Sequence, residues 1–205
     1  MPKKILSLGT DGKLVLKLPG GGVEPLPETR TASQTAFLLV DCSGSMGTGT
    51  KLEQARSGAS AFALDAFGQG YSVGLIQFSD EATLLCAPTR DISDLRIPIK
   101  NLTIGGGTNM THALQLAMDK LSLMNGLRAI VVVTDGIPDS RATALNMAQR
   151  AKEKGIEIIP RGTDDADQDF LNQLASRPDL AVKVSREMFA QSIASAAKML
   201  PGSSR

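Results

Sequence analysis

From residue 36 onward the chain alternates short, wholly apolar runs with longer stretches whose apolar residues recur every three or four positions. That alternation predicts a parallel sheet flanked by helices. Residues 36–40 and 129–133 are apolar at every position, as expected of strands buried on both faces. Residues 71–78 and 83–86 are separated by the polar link Ser79-Asp80-Glu81-Ala82, which suits an antiparallel edge pair. Residues 155–159 and 180–184 complete a sheet of about six strands. Leu52, Ala55, Ala59, Phe62, Ala63, Ala66 and Phe67 form one helical stripe, with Thr50 and Glu53 placed as a capping box and Gly68 and Gly70 as a stop. A second stripe after Thr108 carries Ala113, Leu114, Ala117, Leu121 and Met124; further helices are expected from Asp91 and over 140–154, 168–176 and 186–200. The predicted fold is α/β, an open doubly wound, mostly parallel sheet, whose chemistry belongs at the carboxyl ends of its strands.

Residues 1–34 look different and read as an N-terminal appendage and linker. A hairpin is expected from 5–8 and 14–18 around the turn pair Asp11-Gly12. Pro19, Gly20 to Gly22, Pro25 and Pro27 predict a linker without regular structure. The main domain is expected over 35–200, with 201–205 as a tail.

At 205 residues the chain can bury a substantial core without a disulfide or structural metal. Its 22 basic and 21 acidic residues leave a net charge of +1, which argues against nucleic-acid or membrane partners. No apolar run approaches the roughly 18 residues of a membrane span, and the apolar stretch at 5–8 is too short for a signal peptide. Cys42 and Cys86 have no CxxC spacing, and His112 is the single histidine. Reduced thiols in a cytoplasmic protein are the expectation.

Three loops hold the candidate chemistry: Asp41-Cys42-Ser43-Gly44-Ser45, Gly105-Gly106-Gly107-Thr108 and Thr134-Asp135-Gly136. The i, i+2, i+4 spacing lets the Asp41 carboxylate and the Ser43 and Ser45 hydroxyls turn toward one point. Thr108 follows a glycine run that permits close backbone approach, and Asp135 ends the most apolar strand. A carboxylate at the rim of an apolar sheet needs a partner. A hard divalent cation meets that need, with magnesium or manganese suited better than calcium to so few ligands. Hydroxyls are neutral ligands, so the ion would stay electrophilic and could accept a carboxylate from another protein.

D-C-S-G-S at 41–45, G-G-G-T at 105–108 and T-D-G at 134–136 resemble the metal-ion-dependent adhesion site (MIDAS) of von Willebrand factor type A domains over about residues 35–200. The resemblance implies a Rossmann-like fold and a Mg2+ or Mn2+ ion. It implies hydroxyl ligands from Ser43, Ser45 and Thr108, and carboxylates from Asp41 and Asp135, directly or through water. It further implies capture of a partner protein's Asp or Glu, often with movement of the last helix. Lacking a secretory signal or disulfide pattern, the chain is expected to be an intracellular, bacterial-type member that recruits or scaffolds other machinery.

The remaining residues take structural readings. His112 is expected at the surface or behind the site, and Cys42 is expected to point into the core as an inert thiol. Asp164, Asp165 and Asp167 are expected to serve a helix N-terminus, and Asp80, Glu81 and Asp139 to be loop and cap residues. The glycine loop has no G-x-x-x-x-G-K-[ST] and no lysine placed for phosphates. The expected function is a non-enzymatic, cation-dependent protein-binding module. The alternatives are a metal-independent scaffold and a Mg-dependent phosphoryl-transfer enzyme with Asp41 as nucleophile, although Ser43 stands where such enzymes need a second Asp. A Ser-His-Asp hydrolase lacks its G-x-S-x-G loop.

Overall fold

The computed structural model describes residues 34–202 and the backbone of three short N-terminal strands, β1 (Ile5–Leu8), β2 (Leu14–Lys17) and β3 (Val23–Pro25). These form an antiparallel sheet in that order, with Ile5 opposite Lys17 in the expected hairpin. The stretch expected to lack regular structure contributes β3, which pairs with β2; a proline is tolerated at its end because β3 is an edge strand. The Asp11-Gly12 turn, residues 18–22 and 26–33, and 203–205 lie outside the described residues. By contacts the chain divides into Met1–Thr31 and Ala32–Arg205.

The larger unit runs β4 (Gln34–Asp41), α1 (Lys51–Gly68), β5 (Tyr71–Phe78), β6 (Ala82–Thr89), α2 (Ile92–Lys100), α3 (Met110–Ser122), β7 (Leu127–Thr134), α4 (Arg141–Glu153), β8 (Ile156–Gly162), α5 (Gln168–Leu174), β9 (Val182–Lys183) and α6 (Phe189–Ser195). Its six strands are ordered β6-β5-β4-β7-β8-β9. Neighbours are parallel except the β5–β6 pair. This is the expected doubly wound sheet with one antiparallel edge strand.

Strand periodicity divides the core into two layers. Ala36, Leu38, Val40 and Cys42 face a cluster built with α1, α2 and α6, whereas Phe37 and Leu39 face one built with α3, α4 and α5. Both faces of β4 and β7 are therefore buried, which explains their unbroken apolar runs. Phe37 lies opposite Gly74 on β5, and a Cβ on Gly74 would come within 2.3 Å of the Phe37 ring. The absent side chain makes room for the aromatic one.

Three details depart from the sequence reading. Thr50 precedes α1, but its backbone (φ −106°, ψ 11°) is not the extended conformation of a capping residue. Its side chain makes no capping hydrogen bond, and Glu53 pairs with Arg56 instead. The sixth strand shortens to two residues because Pro178–Leu180 forms a 3-10 turn. The last helix is broken into 3-10 turns at Arg186–Met188 and Ala196–Met199 around α6.

Arg161 on β8 helps to seat that C-terminal segment. Fully buried, it donates to the carbonyls of Ser192 (3.0 Å), Leu180 (2.6 Å) and Pro160 (2.9 Å). Burial draws its guanidinium down to about 10.

The strand order places the functional end. From β4 the chain moves outward to β5 and β6, then returns across the sheet to β7 and continues to β8 and β9. The loops leaving β4 and β7 therefore diverge, opening a crevice at the carboxyl ends of two adjacent strands.

Candidate functional site

Asp41 is the last residue of β4, and Asp135 directly follows β7, the neighbouring strand. Both are essentially fully buried. Ser43 Oγ lies 3.1 Å from Ser45 Oγ, and Ser45 Oγ donates to Asp135 Oδ1 at 2.8 Å. Ser43, Ser45 and Asp135 thus form one continuous chain of oxygens.

Asp41 sits beside this chain with both carboxylate oxygens occupied. Oδ1 accepts the Ser43 N–H (2.9 Å), and Oδ2 accepts the Thr134 hydroxyl (2.6 Å). Neither donor carries a charge, so among the described residues no side-chain cation is bonded to this buried carboxylate. Burial pushes the Asp41 carboxyl up to about 6, despite the opposing hydrogen bonds from Thr134 and Ser43, and the nearby Asp135 adds to the rise.

The glycine loop is laced to the first loop through its backbone. Gly105 N–H donates to the Cys42 carbonyl (2.7 Å), and Gly44 N–H donates to the Gly106 carbonyl (3.1 Å). A Cβ on Gly105 would lie 2.4 Å from Ser79 Oγ, and one on Gly106 2.7 Å from Asp80 Oδ2, so the loop requires bare backbone there. Asp80 accepts the N–H groups of Gly106 (3.1 Å) and Gly107 (2.8 Å). The backbone donors of Gly107 and Gly106 hold its carboxyl below the usual range. Thr108, two residues beyond Gly106, has its N–H bound by Asp139 Oδ1 (2.9 Å), and its carbonyl accepts the Asp139 N–H (3.1 Å). Its link to the oxygen chain is through this backbone lacing.

One cation is resident. Lys51, the first residue of α1, is only 3% exposed. Its Nζ lies 2.5 Å from Asp135 Oδ2 and 2.5 Å from Asp165 Oδ2, with the Ser45 carbonyl at 3.4 Å. Asp165 also faces Arg186 at 3.6 Å. Desolvation pulls the lysine's affinity for its proton down, but the bonds to Asp135 and Asp165 outweigh it and the net direction is upward.

The sequence reading missed Lys51 and the Thr134 hydroxyl outright; Asp165, expected to serve a helix N-terminus, pairs with Lys51 instead, and Asp80 and Asp139 take particular partners that no motif announced. Thr134 stood in the T-D-G motif, and its hydroxyl could have been counted with those of Ser43 and Ser45. Lys51 carried no signal, because a lysine opening a helix is ordinarily solvated. Other expectations meet the structure as stated. Cys42 is fully buried and its thiol is pushed up to about 12, mainly by burial. Asp167 caps α5 by accepting the Phe170 N–H. The exposed His112 accepts the Ala82 N–H on Nδ1 (3.1 Å) and so ties α3 to β6. Cys42 and Cys86 are unpaired.

The donor chemistry fits a hard cation. Every group in the chain is oxygen, the donor type of hard cations, although among the described residues no cluster of three or more His, Cys, Asp or Glu side chains is placed to hold a metal ion. A buried carboxylate without a counter-cation supplies the charge deficit.

A mostly parallel sheet with this crevice defines a doubly wound α/β domain, and the family is settled by comparison. Residues 37–196 match the von Willebrand factor type A domain model, and the chain belongs to that family. In structure it is similar to the vWF domain of the type V pili tip protein Mfa5 from Porphyromonas gingivalis (TM-score 0.75, 15% identity, covering 85% of this chain and 97% of that one). The pilus adhesin SpaC from Lactobacillus rhamnosus GG gives 0.73 at 16% identity, with 96% and 34% covered. Proximal thread matrix protein 1 from the mussel byssus, solved with a zinc-occupied MIDAS motif, gives 0.65 at 16% identity, with 82% and 46% covered. This chain thus spans about a third of SpaC and under half of the byssus protein.

These comparisons overturn the expected cytoplasmic location. The fold recurs in a pilus tip protein, a pilus adhesin and a byssus matrix protein, all parts of structures outside the cell. Unpaired cysteines, on which the expectation partly rested, are compatible with that setting. No helix among the described residues is long and apolar enough to cross a membrane.

Proposed function

We propose that this domain is a non-enzymatic protein-binding module in which a divalent cation, magnesium or manganese, bridges the site to an Asp or Glu of a partner protein. The observation that carries the reading is the oxygen chain Ser43–Ser45–Asp135 beside the cation-free buried carboxylate of Asp41, at the carboxyl ends of adjacent central strands. Ser43, Ser45, Thr108, Asp41 and Asp135 would hold the ion, which supplies an electrophilic position for an incoming carboxylate. The zinc-occupied MIDAS of the byssus protein supports a metal in this fold.

The rim suits a protein surface. Ile104, just before the glycine run, and Ile137, just after Gly136, are both exposed, so apolar side chains flank the polar centre on two loops. Catalysis is poorly served, because the single histidine is held by the Ala82 backbone.

The test is calorimetric titration of the chelator-stripped protein with Mg2+ and Mn2+, followed by pull-down from host cell-surface and secreted fractions with Mg2+ or excess chelator. Partners lost in chelator and in Asp135→Ala are the expected result. Partners retained in both would sink metal bridging and favour a metal-independent scaffold.

A further inference from the structure

We propose that Lys51 is a resident counter-charge that weakens divalent-cation binding and, once a cation is bound, leaves the site with the excess positive charge that draws in a partner's carboxylate. The inference rests on the metal-bridging reading above and assigns a role to a residue outside the five proposed ligands.

The geometry separates the two oxygens of Asp135. Oδ1 accepts from the hydroxyl of Ser45, one of the proposed ligands, while Oδ2 is held by Lys51. The ammonium therefore fixes the carboxylate's rotation and keeps its Oδ1 directed along the serine chain. Lys51 is itself held on two further sides, by Asp165 Oδ2 and the Ser45 carbonyl, so its position is set by the protein. Asp165 is about half exposed and shares its charge with Arg186, so it tempers Lys51 only in part, and the buried charges of the set are those of Asp41, Asp135 and Lys51.

Charge counting gives the consequence. Those three residues together carry one negative charge. A divalent cation turns the set to one positive charge, and an incoming carboxylate brings it to neutrality. Without Lys51 the loaded site is already neutral, and a carboxylate would arrive against a growing negative charge. The lysine thus shifts part of the site's electrostatic attraction from the metal to the metal-bound partner. Because it is buried, this charge is weakly screened by salt.

The experiment compares wild type, Lys51→Met and Lys51→Arg by Mn2+ titration followed by electron paramagnetic resonance. It then measures broadening of the acetate methyl proton resonance by protein-bound Mn2+. Lys51→Met should bind Mn2+ at least about tenfold more tightly, the effect of one charge on a divalent ion a few ångström away even at the dielectric of water, yet broaden acetate less. Lys51→Arg should stay near wild type in both. If wild type takes up no Mn2+, the metal-bridging reading itself falls. If wild type binds and Lys51→Met binds equally or more weakly, the Lys51 proposal alone is overturned. Equal acetate broadening would also overturn it, because the anion-drawing role would be gone. Should Lys51→Met fail to fold, Asp165→Asn at an exposed position gives the opposite test. Freed from its outer partner, the lysine bears fully on Asp135 and Mn2+ affinity should fall several-fold; unchanged affinity overturns the proposal.

Discussion

Replacing Asp41 by Asn should stabilise the metal-free protein above pH 6, even though it removes a proposed ligand. Burial raises the folded-state carboxyl to about 6 from an ordinary 3.8. For a group shifted in this direction, the protonated form favours the fold. Stability is fully present below about pH 4 and is lost as pH rises through 6, reaching about 3 kcal/mol for a shift of about two units. Asparagine mimics the protonated state. Its carbonyl can accept the Ser43 N–H, and its amide can donate to Thr134 Oγ1, whose own proton can turn to the Gly136 carbonyl 3.5 Å away. In chelator, Asp41→Asn should therefore gain about 2 kcal/mol on wild type between pH 4.5 and 8, or roughly 4–8 °C in melting temperature for a domain of this size. Urea unfolding followed by far-ultraviolet circular dichroism at several pH values measures the difference, and carboxylates common to both proteins cancel. Saturating Mg2+ at pH 7.5 should reverse the order, because only wild type offers the ion that charge. A stability difference independent of pH, or a variant that loses ground as pH rises, would refute the reasoning.

Gly74→Ala should cost about 1–3 kcal/mol through overpacking, since its Cβ would lie 2.3 Å from the buried Phe37 ring; Phe37→Leu should recover part of this in a double-mutant denaturation series. Asp80→Ala should lower Mn2+ affinity several-fold with little change in melting temperature, because the exposed carboxylate holds the Gly106 and Gly107 N–H groups and not the core; calorimetry and a thermal melt together check it. A disulfide thiol reagent at pH 8 should modify the half-buried Cys86 slowly and leave Cys42 untouched until the chain unfolds, as mass spectrometry would show.

The sequence by itself determined the layers and the candidate ligands. Strands buried on both faces must be apolar at every position, so β4 and β7 were visible as unbroken runs, and Asp41 and Asp135 stood out as the first carboxylates at or just after their ends. The hydroxyls of Ser43 and Ser45 were legible from their local spacing, although a 3-10 turn over Gly44–Gly47, and not an extended chain, brings them to 3.1 Å. Tertiary structure alone decided what those groups meet. Thr134 reaches Asp41 across 93 positions and Lys51 reaches Asp135 across 84, contacts that exist only because β4 and β7 are neighbours and α1 begins beside their ends. The failed Thr50–Glu53 box is by contrast a local miss, with Arg56 one turn along competing for the glutamate, while the breaks in the last helix are announced by no periodicity. Local pattern encodes which face of an element is buried. The identity of the partner across that face depends on packing among elements distant in the chain, and the charge of this site, with Lys51 resident among its carboxylates, is settled there.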